Sequence, residues 1–159
     1  ITKEDVDDPK RHDNLVAAFS RLFEFGAIPI INENDAVAVD EIVYGDNDSL
    51  SAVVATLIGA DKLVILTETD GLYTADPTVD PKAYRIAEVP EITDEIVACA
   101  SSHGTKLGTG GMLTKVHAAQ IATSAGIDTY VICGRDAHDI YRLMDGERVG
   151  THFCARRNG

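Results

Sequence analysis

Lys62-Leu63-Val64-Ile65-Leu66-Thr67 is the stretch whose reading decides the fold class. Its apolar run is continuous rather than alternating, and it ends at the polar Thr67-Glu68-Thr69-Asp70-Gly71. Such a run is a strand covered on both faces, the condition of a parallel strand between helices. The flanking sequence offers those helices. Upstream, Leu50, Val53, Val54, Leu57 and Ile58 recur at helical spacing and stop near Gly59. Downstream, a helix capped by Thr93 runs to about Ala100, and a second covers Val116 to Ala125. Gly126 then breaks the chain before a β-branched strand from Thr129 to Cys133. Strands alternating with helices give an α/β fold: an open, mainly parallel sheet with helices on both faces.

The remaining segments fit around that frame. Asp13 is expected to cap a helix bearing Leu15, Phe19, Leu22 and Phe23 on one face and ending at Gly26. Ile28-Pro29-Ile30-Ile31 reads as a short strand, with Pro29 near its start or at an edge. The polar cluster Asn32-Glu33-Asn34-Asp35 follows, then extended pieces from Val37 to Tyr44 that suggest a hairpin. Residues 73–82 contain two Asp-Pro steps and read as loop, and Arg85 to Val89 as a short strand. A helix near Asp139 to Met144 and a strand around Gly150 to Cys154 close the chain. No repeat or linker divides it, so residues 1–159 form one domain.

Composition excludes several classes of function. Of 159 residues, 26 are acidic and 14 basic, a formal net charge of −12. That field repels nucleic acid and anionic lipid, so neither is an expected partner. No apolar run approaches the roughly 20 residues of a membrane helix. Cys99, Cys133 and Cys154 form no CxxC pair and the five histidines show no ligand spacing, so no protein metal site is expected. Unpaired cysteines fit a reducing, cytoplasmic setting.

In open α/β sheets ligands bind beyond the carboxyl ends of the strands, which draws attention to the polar turns there. Gly104-Thr-Lys-Leu-Gly-Thr-Gly-Gly-Met-Leu-Thr-Lys115 runs straight into a helix. A side-chain-poor loop at a helix N-terminus aims backbone N–H groups and the positive dipole end at one point, a setting for phosphate. The loop alone fits a plain connector equally well. It is not a Walker loop, since Thr114 rather than Gly precedes Lys115. Nor is it the dinucleotide fingerprint, since Leu113 stands at the third glycine position. Gly45-Asp46-Asn47-Asp48 and the turn ending at Asp35 add acidic groups able to bind an ammonium, hold a lysine or meet magnesium through water. Taken singly, Asp48 reads as a helix cap and Asp35 as a turn residue. Together with a glycine–lysine loop they point to phosphoryl transfer, where positioning and charge neutralisation do most of the catalysis.

Four motifs now carry a resemblance: Ile28-Pro-Ile-Ile-Asn-Glu-Asn-Asp35, Gly45-Asp-Asn-Asp-Ser-Leu-Ser51, Gly71-Leu-Tyr-Thr-Ala-Asp-Pro77 and Gly108-Thr-Gly-Gly-Met-Leu-Thr-Lys115. In order and spacing the chain resembles the glutamate 5-kinases of the amino acid kinase superfamily. The resemblance implies ATP-dependent phosphorylation of the L-glutamate γ-carboxylate, the first step towards proline, with Mg2+ accompanying ATP. It implies that Asp35, Asn47 and Asn32 contact glutamate and that Asp48 organises catalytic lysines. Thr67 and Glu68 would meet the nucleotide, and Thr109, Gly110, Gly111, Met112, Leu113, Thr114 and Lys115 would line the ATP site. Lys115 would neutralise the transferring phosphoryl group. The family usually has Asp where this chain has Glu68. It also implies proline as a feedback inhibitor and a homo-oligomer. Its members open with a strand and another glycine-rich loop carrying a lysine, and often continue into an RNA-binding-like PUA domain. By that comparison residues 1–159 correspond to the C-terminal part of the kinase domain, and the isolated chain is expected to be nearly inactive.

Overall fold

The computed structural model describes residues 1–34, 46–102 and 111–156. In chain order the elements are α1 (Lys3–Asp7), α2 (Pro9–Glu24), α3 (Asn47–Leu57), β1 (Lys62–Thr67), β2 (Glu88–Val89), α4 (Asp94–Ser102), α5 (Met112–Ser124), β3 (Asp128–Cys133), α6 (His138–Met144) and β4 (Thr151–Phe153). Among the described residues these strands form one sheet in the order β1-β3-β4-β2. β1 lies parallel to β3, from Lys62 opposite Asp128 to Thr67 opposite Cys133. β4 runs antiparallel to β3, with Tyr130 opposite His152, and parallel to β2. The sheet is therefore mixed and mostly parallel.

The strand residues sort by face. Leu63, Ile65, Val89, Thr129, Val131, Thr151 and Phe153 are buried on one face. Against that face pack Val116, Ala118, Ala119 and Ala122 of α5 and Ala52 and Ala55 of α3. Alanines let helices and sheet approach closely. α5 is buried on more than one side, with Lys115 and Thr123 among its buried residues. Its exposed residues, His117, Gln120, Ile121 and Ser124, form one narrow stripe, and α3 and α4 flank the helix. The opposite face carries Val64, Tyr130, Ile132 and His152, with buried Leu143 of α6 and the turn ending at Gly150 beside it.

Thr151 ties the irregular chain after β1 into this sheet. Its fully buried hydroxyl accepts from the Leu72 amide at 2.8 Å and donates to the Ile86 carbonyl at 2.6 Å. Thr151→Val keeps the shape but orphans both groups. It should lower unfolding free energy by about 1–3 kcal/mol, read by denaturant titration.

Asp128 makes a second tie. Its Oδ1 accepts from the Ala155 amide at 3.0 Å and lies 2.8 Å from His152 Nε2. Tyr130 stacks on the His152 ring at 4.4 Å, and the Lys62 ammonium sits 5.5 Å above Tyr130. Burial works against ionising Asp128, but the Ala155 amide and the His152 ring outweigh it, Lys62 adding a little, so its pKa falls below the ordinary 3.8. A depressed carboxylate stabilises the fold above its unfolded pKa, and that contribution disappears as pH falls through the lower folded value. Asp128→Asn should therefore lower stability at neutral pH and flatten the loss of stability below about pH 4, measured as unfolding free energy against pH.

Three sequence expectations need correction. The first long helix starts at Pro9, capped by Asp8 through the Arg11 amide, so Asp13 lies inside it. Pro at the first helical position after an Asp cap is a stronger start signal than Asp13. A separate turn, α1, precedes it, opened by a Thr2–Asp5 capping box. Residues 28–31 form no strand: Ile30 is 99 % exposed and no strand lies alongside among the described residues. Instead the Ile1 N-terminus donates to the Asn32 carbonyl at 2.9 Å and the Asn34 amide to the Ile1 carbonyl at 2.8 Å, the reciprocal pair of a parallel ladder. The strand from Arg85 shrinks to Glu88–Val89 because β4, its partner, is itself short; the backbone of Arg85 pairs with Tyr73 in an isolated bridge. The hairpin expected at Val37 to Tyr44 falls outside the described residues.

Candidate active site

α3 and α5 lead into the two parallel strands, β1 and β3. Their N-termini therefore meet at the carboxyl edge of the sheet, where α/β proteins bind ligands. Asp46 caps α3: its carboxylate accepts from the Ser49 amide at 2.7 Å and the Ser49 hydroxyl at 2.9 Å. The capping task thus falls to Asp46, which leaves Asp48 free to reach sideways to α5. Asp46 and Asp48 both stand three residues before a serine, so the spacing alone offered either as the cap; the Ser49 contacts assign it to Asp46, and the plain-cap alternative for Asp48 falls away.

Asp48 Oδ2 lies 3.0 Å from the Lys115 ammonium and accepts from the Thr114 hydroxyl at 2.6 Å. The Thr114 oxygen is also 2.7 Å from the Gly111 carbonyl. Lys115 and Asp48 are 67 positions apart, so only the fold brings them together. Their side chains are 8 % and 16 % exposed. A lysine this buried needs a counter-charge, and Asp48 supplies it. Gly111 caps α5 with extended backbone and no side-chain hydrogen bond. No cap side chain competes for the first amides of α5, so the positive end of its dipole faces the same place as Lys115. An ammonium and a helix N-terminus converging beyond parallel strands suit a bound phosphate.

The amino acid kinase family model matches residues 1–133. The chain belongs to the amino acid kinase family. A glutamate 5-kinase of Clostridium tetani is 48 % identical over 98 % of this chain and 58 % of its own length. One from Clostridium perfringens is 43 % identical over 99 % and 60 %, and one from Carboxydothermus hydrogenoformans 49 % identical over 99 % and 42 %. The chain thus spans about 42–60 % of the length of these relatives. Among solved structures, the UMP kinase of Bacillus anthracis superposes with a TM-score of 0.61 at 14 % identity, covering 89 % of this chain and 52 % of that one. An isopentenyl phosphate kinase gives 0.59 at 17 %, covering 87 % and 50 %. At such identities the likeness shows the shared fold.

In this amino acid kinase chain the other expected site residues fall into groups. Met112 and Leu113 form the first turn of α5 with Thr114 and Lys115, Met112 being buried. Thr67 ends β1, its carbonyl taking the Gly134 amide at 2.8 Å, and Glu68 follows it, exposed. Both stand at the carboxyl edge. Asn47 opens α3 with its side chain exposed. Asn32 is exposed in the irregular chain before α3, and its carbonyl takes the Ile1 N-terminus. Asp35, Thr109 and Gly110 lie outside the described residues. A cavity of about 470 Å³ opens beside Asn47, lined largely by apolar side chains such as Ile31, Leu50, Val54 and Leu63, with Ser51 and Lys62 its other polar members. Among the described residues no three His, Cys, Asp or Glu side chains gather as a metal cage. Magnesium bound chiefly by phosphate oxygens and water asks for no such cage.

Proposed function

We propose that the protein carrying this chain transfers the γ-phosphoryl group of ATP to the side-chain carboxylate of L-glutamate, giving glutamyl 5-phosphate and ADP, the first step of proline biosynthesis. The observation that carries the reading is the buried Lys115–Asp48 pair at 3.0 Å at the N-terminus of α5. Relatives named glutamate 5-kinase at 43–49 % identity support the choice of acceptor.

Phosphoryl transfer needs its charge neutralised and its oxygens held in line more than it needs covalent help. Lys115 meets the negative charge of the transferring group, and Asp48 fixes the ammonium. The α5 amides and the loop residues Thr109 to Leu113 face the phosphates, and Thr67 and Glu68 border the nucleotide. On the acceptor side Asp35 binds the glutamate ammonium, with Asn47 and Asn32 as hydrogen-bonding partners. Mg2+ would accompany ATP and add to the neutralisation of its phosphates, and Asp48, which accepts from Thr114 in the first turn of α5, would be a carboxylate able to meet it through water. The reading further assigns a cytoplasmic setting, a homo-oligomer and proline as feedback inhibitor.

The test is ADP release by the full-length protein with ATP, Mg2+ and one of several acids, with hydroxylamine trapping the acyl phosphate. Glutamate-dependent ADP and a γ-glutamyl hydroxamate are the expected outcome. Equal rates with aspartate, acetylglutamate or UMP would overturn the acceptor assignment.

A further inference from the structure

The Thr114 hydroxyl is already engaged on two sides. Asp48 Oδ2 lies 2.6 Å from it and the Gly111 carbonyl 2.7 Å. It carries one proton for two acceptors, and the charged carboxylate is the stronger of them. The same Oδ2 faces the Lys115 ammonium at 3.0 Å. Thr114 therefore braces from one side the oxygen that holds Lys115 on the other. Its other contact, Gly111, is the α5 cap and belongs to the glycine loop. One side chain thus links the loop, the carboxylate of α3 and the lysine of α5.

We propose that Thr114 is a positioning residue for phosphoryl transfer, acting through Asp48: its hydroxyl fixes the carboxylate rotamer that aims the Lys115 ammonium at the phosphoryl group. The inference rests on the kinase reading above and gives Thr114 a task beyond lining the nucleotide site. The physical need is specific. A carboxylate held only by a lysine can swing with it, because both side chains turn about single bonds. A short hydrogen bond from a β-branched residue in the first turn of a buried helix removes that freedom. Removing the brace should leave the groups present but misplaced, which lowers the rate of the chemical step more than substrate affinity.

Thr114→Val keeps the shape and deletes the hydroxyl, whereas Thr114→Ser keeps the hydroxyl. In the full-length protein, Val should lower kcat by about 10–100-fold with KM for ATP and for glutamate within about threefold, and Ser should restore most of the rate. In an Asp48→Ala background Thr114→Val should cost almost nothing further, because the residue acts through Asp48. A raised KM for ATP with kcat intact would make Thr114 a direct nucleotide contact and overturn the proposal. So would losses that simply add to those of Asp48→Ala, or a change in melting temperature with kcat unaltered. A second readout needs no turnover: acylation of Lys115 by an amine-directed reagent, followed by mass spectrometry. Release of the braced pair should raise the Lys115 rate severalfold in Thr114→Val and not in Thr114→Ser. An unchanged rate would sink the positioning role. Absence of kinase activity in the unmutated protein would instead sink the functional reading, and the acylation experiment would still decide the brace.

Discussion

Lys115→Ala in the full-length protein should lower kcat by about 10²–10³-fold, the usual effect of removing one preorganised donor from a transition state. The change should fall on kcat more than on KM for glutamate, since the side chains proposed to bind glutamate are Asp35, Asn47 and Asn32 rather than Lys115. It should also destabilise the fold. Asp48 has its Oδ2 against the Lys115 ammonium and an 84 % buried side chain, so deleting the lysine leaves a carboxylate short of its counter-charge. The stability cost is on the order of 1–3 kcal/mol, because a partly solvated carboxylate recovers some hydration. Asp48→Ala should cost activity of comparable size by releasing Lys115, and the double variant should be no worse than the more damaging single one. Steady-state kinetics and denaturant unfolding of the four proteins give both cycles. A Lys115→Ala variant with kcat intact would remove the charge-neutralising role from Lys115.

Much of this arrangement was legible before the fold was in hand, and the reasons differ by element. β1 is a continuous apolar run and β3 a β-branched one, and strands alternating with helices implied a mainly parallel sheet. The glycine–lysine loop and the acidic turn were visible as motifs, because chemistry of this kind needs particular residue types at helix starts. Their meeting was not visible: Thr114 and Asp48 are 66 positions apart, and no local pattern encodes which side chain faces which helix. The cap at Asp46 was not legible for a local reason, since Asp46 and Asp48 both stand three residues before a serine and only the Ser49 contacts choose between them. Residues 28–31 failed differently. Their composition is that of a strand, but strand structure belongs to a pair, and composition says nothing about whether the neighbour is present.

Gly150→Ala should be the most disruptive of the small substitutions. Gly150 has φ +70, in the left-handed region, and a Cβ there would stand 2.2 Å from the Val131 carbonyl oxygen and 2.6 Å from Ile132 Cγ2. Two costs combine. Left-handed backbone with a side chain costs roughly 1–2 kcal/mol. The clash is against the backbone of β3, which cannot rotate aside as a side-chain tip would, and relieving it means moving strand against turn for about another 1–3 kcal/mol. The total approaches the margin by which many domains stay folded. Gly146→Ala supplies the control: it has φ +88 but nothing within 4 Å of the added Cβ, so it should lose only the conformational part. Denaturation midpoints of the two variants separate the effects. A Gly150 variant no weaker than the Gly146 one would mean that β3 and the turn entering β4 do not pack as closely as the structure has them. That contact also bears on the site. Val131 belongs to β3, the strand that α5 leads into, so a shift of β3 reaches the helix that carries Thr114 and Lys115. Gly150→Ala protein that remains folded should accordingly lose kinase activity as well as stability, while Gly146→Ala keeps its rate.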